Sequence, residues 1–340
     1  MSRILVTGGT GFIGSHTAAL LLEQGHEVVL FDNLSNSKVS AVDGIERACG
    51  RRPEFVRGDI RDGAALEELF RRRDAVSAPY DAVIHFAGLK AVGESVKEPE
   101  RYHENNVEGS LKLYKAMAAA GVKKIIFSSS ATVYGPDNRA PYTEDMPLAA
   151  VNPYGETKIL NELALRALCG VDPGWTVMLL RYFNPGGAHP GGFLGEDPGG
   201  IPNNLLPYVA KVAAGELKEI QIFGDDYYTP DGTGVRDYIH VMDVARGHVL
   251  ALEWLFGGHR AEAVNLGTGR GTSVREIIRA FEAACGKELP AAVCARRAGD
   301  LACTYADVSL AKELLGFEAE YGIEDICRDG WRWQQSISVR

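Results

Sequence analysis

The sequence predicts an α/β protein: a doubly wound parallel sheet followed by a smaller, mixed α/β lobe toward the C-terminus. Three observations point there. Short apolar runs alternate with helix-period stretches through the first half of the chain, a glycine-rich turn joins the first strand to the first helix, and the composition changes abruptly near residue 185.

Residues 3–7, 27–31, 54–57, 81–86, 123–128 and 176–181 are short and apolar, as strands covered on both faces are. Between them, residues 14–24, 64–72, 106–119 and 154–167 place apolar side chains at helical spacing. That alternation implies parallel strands joined by right-handed crossovers, with ligands held beyond the carboxyl ends of the strands. Residues 185–202 hold seven Gly and four Pro in 18 positions, the composition of a long functional loop. A helical pattern at 204–214 and a strand at 219–223 follow it, while 238–255 and 263–266 read as a helix and a strand returned to the sheet. The expected division is residues 1–185, with 235–267 returning, as one domain, and 186–234 with 268–340 as the second lobe.

A chain of 340 residues, 46% hydrophobic, has enough apolar material for one large core or two unequal ones. Its net charge of -9, with basic residues dispersed, argues against nucleic acid or a membrane surface as partner. The six cysteines, at 49, 169, 285, 294, 303 and 327, form no Cys-x-x-Cys pair and read as reduced thiols of a cytoplasmic protein. Met1-Ser2-Arg3 runs directly into a strand pattern, and no apolar run is long enough to span a bilayer. None of the eight histidines falls at a metal-ligand spacing, so no metal is expected.

Gly8, Gly11 and Gly14, with Phe12 and Ile13 among them, form a strand-to-helix turn. Such a turn lets the backbone approach a pyrophosphate and aims the free N–H groups of the helix at it. Asp32 closes the next strand 18 residues after Gly14, where a carboxylate binds the hydroxyls of an adenine ribose and repels a 2'-phosphate. The pair describes a Rossmann-type site for NAD rather than NADP.

Tyr154 and Lys158, four apart at the start of a helix announced by Asn152-Pro153, share one helix face. A neighbouring ammonium and a positive nicotinamide ring both favour the phenolate of Tyr154, which then takes a proton from a sugar hydroxyl as hydride leaves the same carbon. Ser130, two residues after Ser128 at the end of a strand, is placed to steady that hydroxyl.

The Gly-x-x-Gly-x-x-Gly spacing, joined to this serine, tyrosine and lysine, resembles the extended short-chain dehydrogenase/reductase family, and the likeness covers nearly the whole chain. The resemblance implies further cofactor contacts at Asn33, Asn36, Ser37, Asp59, Ile60, Phe86, Ala87, Gly88, Lys90, Asn105, Ser128 and Tyr182. It also implies a UDP-hexose as substrate, gripped by Asn184, Asn204, Leu205, Gln221, Phe223, Arg236, Arg297 and Asp300. At Asn204-Leu205 a helix start offers backbone donors, and Arg236 and Arg297 offer guanidinium forks to the pyrophosphate.

Within that family the nucleotide-sugar dehydratases carry Asp-Glu after the hydroxyl residue, the acid and base that expel water, and decarboxylases usually keep a glutamate there. Here Ala131 and Thr132 follow Ser130. Oxidation without elimination leaves a ketone whose simplest fate is return of the hydride, so the resemblance implies 4-epimerisation of UDP-glucose and UDP-galactose. A dehydratase, a decarboxylase and a non-catalytic NAD-binding regulator are the alternatives. Thr304 stands where relatives carry a tyrosine or a small residue in the wall of the sugar pocket. A small residue leaves room for a 2-acetamido group, so the UDP-N-acetylhexosamines are expected substrates too. Residues 106–119 and 154–167 resemble the helix pair of the family's dimer interface, implying a homodimer.

Overall fold

The structure is a computed structural model that describes residues 1–71, 79–197, 200, 202–297 and 299–338. Its centre is a seven-stranded parallel sheet. The chain enters through β1 (Arg3–Thr7), α1 (Phe12–Glu23), β2 (Glu27–Asp32), α2 (Ser40–Cys49), β3 (Glu54–Arg57), α3 (Gly63–Arg71) and β4 (Ala82–His85). Short helices α4 (Val92–Lys97) and α5 (Pro99–His103) lead to α6 (Gly109–Ala119), then β5 (Lys124–Ser130), α7 (Pro153–Val171) and β6 (Thr176–Tyr182).

Past the sheet's sixth strand come β7 (Asn184–Gly186), α8 (Leu205–Ala213), β8 (Ile220–Phe223), β9 (Val235–Arg236), β10 (Tyr238–His240), α9 (Val241–Phe256) and β11 (Ala261–Leu266). The remainder is β12 (Thr272–Ser273), α10 (Val274–Cys285), β13 (Ala291–Cys294), β14 (Cys303–Thr304), α11 (Ser309–Leu315) and α12 (Ile323–Ser338). Strand order is β11-β6-β5-β4-β1-β2-β3, so the connection direction reverses between β1 and β4, where a crevice opens at the strand ends.

Both faces of the sheet are covered, which is why most positions of its strands are apolar. One core joins Ile4, Val6, Leu30 and Ile84 to α1 and α9; the other joins Leu5, Val29, Val83 and Ile125 to α3, α6 and α7. A third core lies apart from the sheet and packs α8, β8, α10 and α12 around Val209, Ile220, Ile277, Phe281 and Ile326.

Two expected helices differ from the structure. The stretch 238–255 is split: Tyr238–His240 is a strand parallel to β7, and the helix begins only at Val241. The stretch 106–119 is not uniformly α-helical, because Glu104–Glu108 forms a π-helical turn that feeds α6. Arg72, the last residue of the helix expected at 64–72, lies outside the described residues, as do Pro198, Gly199 and Ile201 of the Gly/Pro-rich loop.

Beneath β5 and β6 sits a fully buried ion pair. Arg181 donates to both oxygens of Glu162, at 3.0 and 2.7 Å, and Ser129 also donates to Glu162. The guanidinium reaches further to the Tyr134 hydroxyl and the Glu144 carbonyl. Removing one partner strands a buried charge, so Arg181→Met is expected to cost about 3–5 kcal/mol. Lys312→Ala, which breaks an exposed pair with Glu318, is expected to leave stability unchanged. Urea unfolding of the two variants beside the unaltered protein measures both.

Candidate active site

A single cleft of about 1420 Å³ runs from the glycine turn, past the ends of β4, β5 and β6, to the third core. At its cofactor end Gly8 has φ +69°, and a Cβ there would stand 2.6 Å from the backbone nitrogen of Ala87. Only glycine lets the two loops of β1 and β4 meet. Helix α1 starts beyond Gly11 with no side-chain cap, so its first-turn N–H groups stay available beside the cleft that Gly11, Phe12, Ile13 and Gly14 line.

Asp32, buried at the end of β2, accepts from the backbone of Thr10 at 3.1 Å, the backbone of Leu34 at 2.9 Å and the Ser37 hydroxyl at 3.2 Å. A carboxylate has about four acceptor sites, so these three contacts leave acceptor capacity on Asp32 unused. Asn33, Asn36, Ser37, Ile60, Phe86, Ala87, Gly88, Lys90 and Asn105 also line the cleft. Asp59 does not: its carboxylate turns to Arg61 and Asn33, and the Arg61 hydrogen bond holds it down at about pKa 2. Lys90 reaches Glu196 at 2.6 Å, drawing the segment before Asp197 over the cofactor end.

The π-turn puts Asn105 on the cleft wall and Asn106 behind it. Asn106 is satisfied on every side: its Oδ1 accepts from Leu89 N and Asn105 Nδ2, and its Nδ2 donates to Leu89 O and Thr157 Oγ1. The loop after β4 is thereby pinned to the helix that carries Tyr154 and Lys158.

That helix, α7, starts where its sequence says it should. The Asn152 side chain accepts from Gly155 N at 2.9 Å, and Pro153 occupies the first turn. A Cβ on Gly155 would stand 2.6 Å from the Thr132 carbonyl, so glycine lets the helix start press against the 3₁₀ turn Ala131–Val133. Tyr154 thus meets Ser130. Thr132 donates to Ser130 Oγ through both its N–H and its hydroxyl, leaving the serine's own hydrogen for Tyr154 or a ligand.

Lys158 donates to the Ser128 carbonyl at 2.6 Å, with its ammonium 5.6 Å from the Tyr154 ring centre. Burial lowers its pKa to about 8, against the attraction of Glu162. Burial also pushes Tyr154 up to about 12, opposed by the Ser130 hydrogen bond. Burial thus disfavours the phenolate in the chain by itself, and the sequence expectation accordingly joins a positive nicotinamide ring to the Lys158 ammonium.

Tyr182 ends β6 opposite Ser130 in the register, and Asn184 follows on β7. On the far wall, Gln221 and Phe223 come from β8, Asn204 and Leu205 from the start of α8, Arg236 from β9 and Thr304 from β14, its register partner. Arg297 stacks over the Phe223 ring at 3.8 Å, and Arg236 pairs with Asp300 at 3.6 Å. All sequence-predicted site residues except Asp59 share the one cleft. Residues that sequence reasoning missed are the supports: Thr132, Asn106, Glu162 and Arg181. A hydroxyl two residues after Ser130 and paired asparagines were the only signals for the first two.

The fold and this arrangement define a class. The chain belongs to the NAD dependent epimerase/dehydratase family, whose model matches residues 4–267. It is 54% identical over 333 residues to a UDP-glucose 4-epimerase of Bacillus subtilis (strain 168), covering 98% of this chain and 97% of the relative. Among solved structures, a UDP-glucose 4-epimerase from Stenotrophomonas maltophila, with bound NAD and formylated UDP-arabinopyranose, superposes with TM-score 0.96 at 49% identity, covering 100% and 99% of the two chains. Another from Bifidobacterium longum, in complex with NAD+ and UDP, gives TM-score 0.93 at 50% identity, with 98% of each chain covered.

The depressed Lys158 pKa has a consequence for stability. The amine loses its proton near pH 8 in the folded chain but near ~10.4 when unfolded. Between those values the unfolded chain holds more protons, so stability rises with pH. In Lys158→Met that rise is expected to shrink; urea midpoints of both proteins at pH 8 and pH 10 measure it, and parallel profiles would contradict it.

Proposed function

We propose that this chain reversibly interconverts UDP-glucose and UDP-galactose by inverting carbon 4 of the sugar, with NAD as resident cofactor. One observation carries the reading. Ser130, Tyr154 and Lys158 gather where the glycine-turn crevice meets the arginine wall, and the residue supporting Ser130 is Thr132, a hydroxyl where the dehydratase pattern carries a glutamate.

The residues fit the cofactor. Gly8 and Gly11 leave space for a pyrophosphate beside the open N-terminus of α1, and Asp32 suits a ribose diol rather than a 2'-phosphate. When bound, NAD supplies a reversible hydride acceptor and a positive ring that offsets the burial of Tyr154. Tyr154 then takes the proton of the 4-hydroxyl, Ser130 donates to the same oxygen, and Lys158 steadies the site through the Ser128 carbonyl. Arg236 and Arg297 hold the pyrophosphate, with Asn184, Gln221, Asn204 and Leu205 around the nucleotide and Phe223 beneath Arg297. With the nucleotide fixed, the 4-ketose turns over, and Tyr154 returns the proton as carbon 4 is reduced from its other face.

Thr304 leaves the sugar wall open, so UDP-N-acetylglucosamine and UDP-N-acetylgalactosamine are substrates as well. Leu111 on α6 and Leu163 on α7 are about half exposed, which supports the homodimer expected of this helix pair. The six described thiols are unpaired, in keeping with a reducing cytoplasm. Among the described residues no helix is long and apolar enough to cross a membrane.

Purified protein given UDP-galactose and no added NAD is expected to form UDP-glucose with no change of substrate mass; a product lighter by water or carbon dioxide would overturn the reading. Thr304→Tyr is expected to lower kcat/KM for UDP-N-acetylgalactosamine by about 10-fold or more, with UDP-galactose turnover little changed. Unchanged turnover of the acetamido sugar by that variant would contradict the pocket-wall argument.

A further inference from the structure

Behind the cofactor end of the cleft lies a histidine that none of the steps above uses. His248, on α9, is fully buried, and its ring sits between Phe86, 4.7 Å away centre to centre, and Tyr182, 5.3 Å away. Both neighbours line the cleft, but His248 does not.

Its hydrogen bonds fix its tautomer. Nδ1 stands 2.8 Å from the Val244 carbonyl one helical turn back, and a carbonyl only accepts, so Nδ1 carries the hydrogen. Nε2 is left as an acceptor 2.5 Å from the Tyr182 hydroxyl, which must therefore donate to it. Burial holds the imidazole at about pKa 4, so the ring stays neutral near pH 7. The Tyr182 oxygen, its hydrogen committed to His248, has only acceptor capacity left for anything in the cleft. Ser128, on the neighbouring strand β5, receives Lys158 on its carbonyl.

We propose that His248 is a positioning residue for the nicotinamide end of the site, acting through Tyr182: it orients the phenol ring and makes its oxygen an acceptor, the polarity that suits a carboxamide N–H. The inference rests on the NAD reading above in placing Tyr182 at that end. The chain from Val244 through His248 to Tyr182 ties α9 to β6, which pairs with β5, behind the cofactor, so disturbing its middle member is felt as loosened cofactor.

A double-mutant cycle tests it on the whole protein as purified. His248→Leu, Tyr182→Phe and the double variant are compared for NAD retained after gel filtration, released by heat and quantified, and for the NAD dissociation rate. His248→Leu is expected to speed dissociation about tenfold, the scale of one well-placed hydrogen bond, and to add little once Tyr182 is phenylalanine. His248→Gln, whose amide oxygen reaches the place of Nε2, is expected to recover most of the retention; should the leucine variant not fold, the glutamine variant and Tyr182→Phe carry the comparison.

Equal acceleration by His248→Leu in both backgrounds, or a glutamine variant that loses NAD faster than Tyr182→Phe does, overturns the proposal. Failure of the sugar reading appears separately, as NAD retained normally without epimerisation.

Discussion

One hydrogen bond organises this site: the buried Lys158 ammonium donating to the Ser128 carbonyl at 2.6 Å. It crosses from helix α7 to the C-terminal end of strand β5, so it fixes the distance between the element that carries Tyr154 and the element that carries Ser130. Burying an ammonium is costly, and the surroundings answer that cost twice. Glu162, one turn further along α7, attracts the charge, while Arg181 neutralises Glu162 so that the lysine is not simply absorbed into a second ion pair.

The same burial sets the chemistry. A phenol pushed up to about 12 and an ammonium lowered to about 8 are poorly matched to act as a base and its helper by themselves. In the proposed function, positive charge on the cofactor would change that balance and tie proton transfer by Tyr154 to the presence of the group that takes the hydride. The far wall follows a different rule: with a net charge of -9 the molecule offers no general pull on an anion, and Arg236 and Arg297 are held locally by Asp300 and the Phe223 ring.

Much of this was legible because the signals are local. Strand and glycine-turn positions follow from apolar runs and from residues whose backbone freedom is their purpose, and Asn152-Pro153 announces α7 through capping chemistry. The errors have equally local causes. The split at residue 240 was hidden because His240, not Ser or Asp, caps α9 by accepting from Met242 N, and the apolar Tyr238 and Ile239 continue the helical pattern. The π-turn at Glu104–Glu108 inserts a residue that no 3.6 periodicity reports. His248 and Arg181 carry no sequence mark at all, since a lone histidine or arginine reads as packing or surface until its partners are seen.

The proposed reaction turns on Tyr154 as the group that moves the proton. The direct measurement is the rate of UDP-galactose to UDP-glucose conversion by Tyr154→Phe protein that still holds its NAD. The rate is predicted to fall by about 10²–10⁴-fold with cofactor content unchanged; an undiminished rate would contradict the account.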